Sequence, residues 1–126
     1  MSRLQPRIIL IEDHPLVRMS QRMLLEHAGY RVSEIAAPGD LPGLAPGADA
    51  IIADFDLGGE VTGVEVALEI MRRASMRIPT LVLSGSFGER SLPAARAAAM
   101  QLMFKPATEQ LLLDWVADAV GEGSHA

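Results

Sequence analysis

Four short apolar runs, each ending in a polar or charged group, constrain this chain more than any other feature. They are Ile8-Ile9-Leu10-Ile11 before Glu12-Asp13, Ala50-Ile51-Ile52-Ala53 before Asp54, Thr80-Leu81-Val82-Leu83 before Ser84, and Leu102-Met103-Phe104 before Lys105-Pro106. Unbroken apolar runs of this length are the pattern of strands covered on both faces, the environment of a parallel sheet. As parallel strands of one sheet they would bring their carboxyl ends to one edge, where open α/β sheets bind ligands. Three carboxylates, a hydroxyl and an ammonium would then converge there.

The intervening segments have helical character. Leu16, Met19, Met23 and Leu24 recur at helical spacing between Pro15 and His27, and Gly29 is a plausible helix end. Tyr30 to Ala36 reads as a further strand. Residues 37–47 carry three prolines and three glycines, so a helix there must be short, with Asp40 as a candidate cap. Ala50 to Phe55 reads as a strand, and Thr62-Gly63-Val64-Glu65 has capping-box spacing, opening a helix to about Ala74 with Val66, Ile70 and Met71 on its apolar side. A loop is expected at Gly85-Ser86-Phe87-Gly88. Ser91-Leu92-Pro93 introduces an alanine-rich helix, Ala94 to about Met100, and Thr108 caps a last helix with Leu111, Leu112, Trp115, Val116 and Ala119 as its buried stripe. Five alternations of strand and helix predict an α/β domain with a parallel sheet and helices on both faces.

At 126 residues the expectation is one domain, 1–126, with a core over about 7–120 and a frayed tail at 121–126. Any output or catalytic domain is then expected on another polypeptide. The absence of cysteine removes disulfides and thiolate metal sites, and a net charge of -5 with no basic run longer than Arg72-Arg73 argues against nucleic-acid binding. The first residues resemble neither a signal peptide nor a membrane anchor, so no membrane partner is expected and a cytoplasmic location is the default.

The polar strand ends have both chemical and ordinary readings. Adjacent carboxylates such as Glu12-Asp13 suit a hard cation such as Mg2+, which takes few protein ligands and keeps much of its water. They also suit a solvated turn that caps the next helix. Asp54 interrupts the most apolar segment, where an unpaired charge is costly, although a structural aspartate capping a loop fits too. Asp56, two positions on, would share its side in an extended chain, as a supporting carboxylate or as loop surface. Ser84 and Lys105 are individually commonplace. Together they offer a hydroxyl donor and a compact cation for a phosphoryl oxygen. Lys105-Pro106 adds a peptide bond able to be cis.

The ordered set of acidic pair, aspartate, serine and Lys-Pro, each at a strand end, resembles the receiver domain of two-component response regulators, and the likeness runs from about Ile8 to Val120. The resemblance implies a doubly wound, flavodoxin-like sheet of five parallel strands in the order 2-1-3-4-5. It implies that Asp54 is the phosphoacceptor, and that Glu12, Asp13 and Asp54 organise Mg2+ together with the backbone carbonyl of Asp56. Ser84 takes the role of switch hydroxyl, and Lys105 contacts the phosphoryl group or Asp54. The implied partners are a sensor histidine kinase or a histidine phosphotransfer protein and an unidentified output protein, with pairing of two copies left open. The domain would be no enzyme beyond its own phosphorylation and dephosphorylation.

Three departures from the family pattern stand out. Leu102 occupies the place, three residues before the lysine, where receivers often have an aromatic ring. The loop 55–63 lacks the usual proline and resembles that of hybrid-kinase receivers. Ala97-Ala98 replaces a familiar Ala-Gly. Two other functions compete. A pseudo-receiver would dock partners without taking phosphate. A haloacid-dehalogenase-like phosphohydrolase would use Asp54-Phe55-Asp56 as nucleophile and acid, but that motif follows the first strand in such enzymes and the third here.

Overall fold

The computed structural model describes residues 5–43, 47–85 and 89–121. The expected loop at 85–88 and tail at 121–126 therefore lie largely outside the described residues. The elements are β1 (Arg7–Ile11), α1 (Pro15–His27), β2 (Arg31–Ile35), a 3-10 turn (Pro38–Gly43), β3 (Ala50–Asp54), α2 (Gly63–Ala74), β4 (Thr80–Ser84), α3 (Ser91–Ala97), β5 (Gln101–Phe104) and α4 (Glu109–Ala119). The strands form one five-stranded sheet in the order β2-β1-β3-β4-β5. Every pairing is parallel, with Ile8 opposite Ala50, Ile52 opposite Leu81 and Ser84 opposite Phe104. This is the fold class and strand order expected from the sequence.

Alternation along the strands divides the core. Ile9, Ile11, Ile51 and Ala53 pack with Val66, Ala67, Ile70 and Met71 of α2, while Ile8, Leu10, Ile52, Leu81 and Leu83 pack on the other face with Leu25 of α1 and Leu112 and Val116 of α4. All residues of β3 and β4 are buried, which is why their sequences lack polar alternation until their last residues.

The helix termini follow local rules. Thr62 and Glu65 form the reciprocal capping box of α2, and Thr108 Oγ1 accepts from Leu111 N at 3.1 Å to start α4. Asp40 departs from the expectation of a helix cap: its carboxylate accepts from the backbone of Ala36 and Ala37, pinning the chain that precedes the 3-10 turn. The alanine-rich helix starts at Ser91, within the Ser91-Leu92-Pro93 start read from the sequence, but ends at Ala97, short of the expected Met100, because Ala99 takes a left-handed φ of 57° and Met100 N bonds back to Ala95 O.

Helical spacing located α1 without locating its buried face. Leu16, Met19 and Met23 are exposed, Leu25 is buried, and Arg18 and Arg22 reach across to ion-pair with Glu34 of β2. On α4, Leu111 likewise faces outward while Leu112 and Val116 are buried.

Gly63 sets how closely α2 approaches β3. A Cβ at this position would lie 2.0 Å from the Asp54 carbonyl oxygen, and Gly63 N donates to Phe55 O at 3.0 Å. The first turn of α2 thus rests directly on the backbone of the strand end that carries Asp54.

Candidate functional site

The carboxyl ends of β1, β3, β4 and β5 line one cavity of about 760 Å³, which includes Glu12, Asp13, Asp54, Asp56, Ser84 and Lys105. All six residues singled out in the sequence therefore border the same space. Asp54 and Ser84 are the buried last residues of β3 and β4, Glu12 and Lys105 directly follow β1 and β5, and Asp13 and Asp56 lie one residue further along their loops.

Asp54 is buried, and the ammonium of Lys105 lies 2.9 Å from its Oδ1. The pair bridges β3 and the residue after β5, across the intervening β4. Lys105 N also donates to Ser84 O at 2.8 Å, which fixes the base of the lysine beside the serine, and its peptide bond to Pro106 is cis.

Glu12, Asp13 and Asp54 can each place an oxygen within 4.8 Å of the others. Glu12 is 2% exposed, and its Oε2 accepts from His14 N at 3.1 Å while its Oε1 is buried without a hydrogen-bond donor. Burial pushes the Glu12 carboxyl up to about 7. The neighbouring Asp54 charge and a contact with Asp13 push the same way, against the His14 amide and the Lys105 charge. The Asp13 contact is a hydrogen bond only when one carboxyl of the two carries a proton, which reconciles it with the donorless Oε1.

An unpartnered buried oxygen facing two other carboxylates fits a hard divalent cation. Oxygen ligands and room for water are the donor set that Mg2+ prefers, and a cation would meet the unsatisfied demand of Glu12 Oε1. The side chain of Asp56 is outside this cluster. It is exposed, and its Oδ1 accepts from Gly58 N at 3.1 Å, closing a turn in the loop after β3. A backbone bridge between Asp56 and Thr62 shuts the same loop, and Gly58, at φ +81°, passes beside the Asp13 carboxylate.

Ser84 is buried, and its hydroxyl is 2.9 Å from that of Ser91, the first residue of α3. Sequence reasoning singled out Ser84 and missed this partner, because Ser91 was legible only as part of a helix start. It also missed Arg90, which borders the cavity with its guanidinium 5.6 Å from the centre of the Phe55 ring. Leu102 packs at the edge of a cluster made by Phe55, Val64, Val82, Ala95 and Ala98, between the sheet and α3.

Several solved structures share the fold. A CheY-like response regulator receiver domain protein from Methanospirillum hungatei JF-1 superposes with a TM-score of 0.83 at 18% identity, covering 96% of this chain and 98% of that one. A receiver domain protein from Clostridium thermocellum gives 0.79 at 19% identity, with coverage of 94% and 97%. A beryllofluoride-activated DrrB receiver domain gives 0.80 at 16%, with coverage of 94% and 99%. No curated protein matches the sequence. Residues 8–117 match the response regulator receiver domain family, nearly the whole span from β1 through α4, and the chain belongs to that family.

Proposed function

We propose that this receiver domain takes a phosphoryl group from a phosphohistidine on a partner kinase or phosphotransfer protein onto Asp54, with Mg2+, and so switches its protein-protein interactions. The observation that carries this reading is the Lys105 ammonium 2.9 Å from Asp54 in the cavity that also holds Glu12 and Asp13. A general docking module has no chemical need for a buried aspartate, a cation on it and two more carboxylates facing it.

In the transfer, an Asp54 oxygen forms the new bond to phosphorus as the phosphorus-nitrogen bond breaks, and the departing imidazole nitrogen keeps the electron pair. Such transfers depend mainly on positioning and charge neutralisation. Lys105 supplies one fixed positive charge, and Ser84 a hydroxyl at the cavity wall able to donate to a phosphoryl oxygen. Glu12 and Asp13, with Asp54 and the backbone carbonyl of Asp56, are the groups that would hold Mg2+. When bound, the ion would supply charge neutralisation as a Lewis acid that phosphoryl oxygens can ligate. The chain would act as a single receiver unit over 1–126, with no turnover beyond gain and loss of its own phosphoryl group. No described helix is long and apolar enough to cross a membrane.

Incubation with acetyl phosphate and Mg2+, read by intact mass, tests the proposal. The parent should gain one phosphoryl group, and Asp54→Asn, nearly isosteric at a buried position, should remain unmodified. An undiminished adduct in the Asn variant removes Asp54 from the role.

A further inference from the structure

Arg18, in the first turns of α1, binds the backbone of the two residues that carry the acidic pair. Its Nη1 donates to the carbonyl oxygens of Glu12 at 3.0 Å and Asp13 at 3.4 Å, and its Nε lies 3.2 Å from Glu34 Oε1 on β2. Its side chain is only 20% exposed, so these bonds are partly shielded from water. Glu34 is held in turn by Arg22 Nη1 at 2.9 Å. The backbone of Glu12 is therefore tied on both sides of its Cα, since its N–H donates to Ile35 O at 3.0 Å and its carbonyl accepts from Arg18. The carbonyls of both peptide units that flank the Asp13 Cα meet the same guanidinium. With the peptide planes on both sides of a Cα held, the direction of its side chain is held as well.

We propose that Arg18 is a positioning residue for the divalent-cation site, holding the Glu12 and Asp13 backbone so that their carboxylates stay within reach of one ion, with Glu34 as the anchor that orients Arg18. The inference rests on the reading of Glu12, Asp13 and Asp54 as the groups that hold Mg2+. Crowded carboxylates repel one another, so a strand end without this support would splay them apart in the metal-free protein. Mg2+ demands near-ideal octahedral geometry, and a small rotation of the supporting backbone is felt in its affinity. Charge and support have opposite consequences here. As a cation Arg18 repels Mg2+, so losing the charge alone would tighten binding. Losing the support weakens it.

Titration of the whole chain with MgCl2, followed by backbone amide shifts, tests the assignment. Arg18→Met should bind Mg2+ at least about three-fold more weakly, on the scale of one net hydrogen bond. Arg22→Met removes the same charge from α1 but no bond to the Glu12 and Asp13 carbonyls, so it should not weaken binding. Glu34→Gln keeps Arg18 but loosens it, and should weaken binding in the parent while changing nothing in the Arg18→Met background. A direct charge effect of Glu34 would persist in both backgrounds. Equal or tighter binding by Arg18→Met, weakening of the same size by Arg22→Met, unweakened binding by Glu34→Gln, or an undiminished effect of Glu34→Gln in the Arg18→Met background each overturns the proposal. Failure of the parent to bind Mg2+ at all refutes the metal-site reading, and this inference with it.

Discussion

Glu12→Gln should stabilise the metal-free protein in a pH-dependent way. The Glu12 carboxyl titrates near 4.5 in an unfolded chain and is pushed up to about 7 in the fold, chiefly by burial. Between those values the folded state binds more protons than the unfolded state, so stability falls as pH rises. The contribution is fully present below about pH 4.5 and is lost as pH passes through about 7. At 1.36 kcal/mol per pKa unit the whole loss is about 3 kcal/mol, of which about 2–3 kcal/mol falls between pH 5 and 8. The substituted glutamine would keep an acceptor for the His14 amide and present an N–H to the neighbouring carboxylates. Urea unfolding in EDTA at pH 5, 6, 7 and 8 measures the effect, and the difference between variant and parent cancels the titration of other groups. The stability gap should widen by about 2–3 kcal/mol from pH 5 to pH 8. At pH 8, saturating Mg2+ should narrow it, because the ion binds the parent more tightly. A pH-independent gap, or a gap that shrinks toward pH 8, would refute the assignment of Glu12 as the strained carboxylate.

Lys105→Met removes a charge that lowers the Glu12 carboxyl, so the midpoint of that pH-dependent stability should move to higher pH, and the initial rate of phosphorylation from acetyl phosphate should fall. An unmoved midpoint would mean that solvent screens the lysine from Glu12. Gly63→Ala forces a methyl against the Asp54 carbonyl and should cost at least about 1–3 kcal/mol in urea unfolding; a neutral result would show that α2 shifts freely from β3. Asp56→Asn keeps an oxygen for the Gly58 amide, so stability should stay within about 0.5 kcal/mol while the phosphoryl lifetime changes with the loss of a charge beside the cavity. Identical dephosphorylation rates would place that side chain wholly in solvent.

The inner strands β1, β3 and β4 were legible because burial on both faces writes itself as nearly uninterrupted apolar residues, whereas the edge strands β2 and β5 are partly exposed and carry a weaker signal. Each strand end was marked by the first residue that breaks the run, so Glu12, Asp54, Ser84 and Lys105 appeared together with the fold. Chain order alone allowed the six site residues to be placed on one cavity. The exposed and buried sides of α1 were less legible, since Leu16, Met19 and Met23 have helical spacing but point away from the Leu25 contact with the sheet. Periodicity fixes that a stripe exists, whereas the sheet decides which stripe is covered. Asp56 was seen as a carboxylate near the site, but its use as a turn acceptor depends on the path of the loop to Gly58. The Ser84-Ser91 bond and the Arg90-Phe55 contact join residues on different elements, and neither pair carries a spacing signal.

The central claim is that Asp54 is the phosphoryl acceptor, and the most direct measurement locates the modified residue chemically. An acyl phosphate on aspartate is reduced by borohydride to homoserine, so protein treated with acetyl phosphate and Mg2+, reduced and digested, can be sequenced by mass spectrometry. The account predicts homoserine at position 54 and unmodified aspartate at positions 13 and 56. Homoserine at either of those positions, or at none, would contradict it.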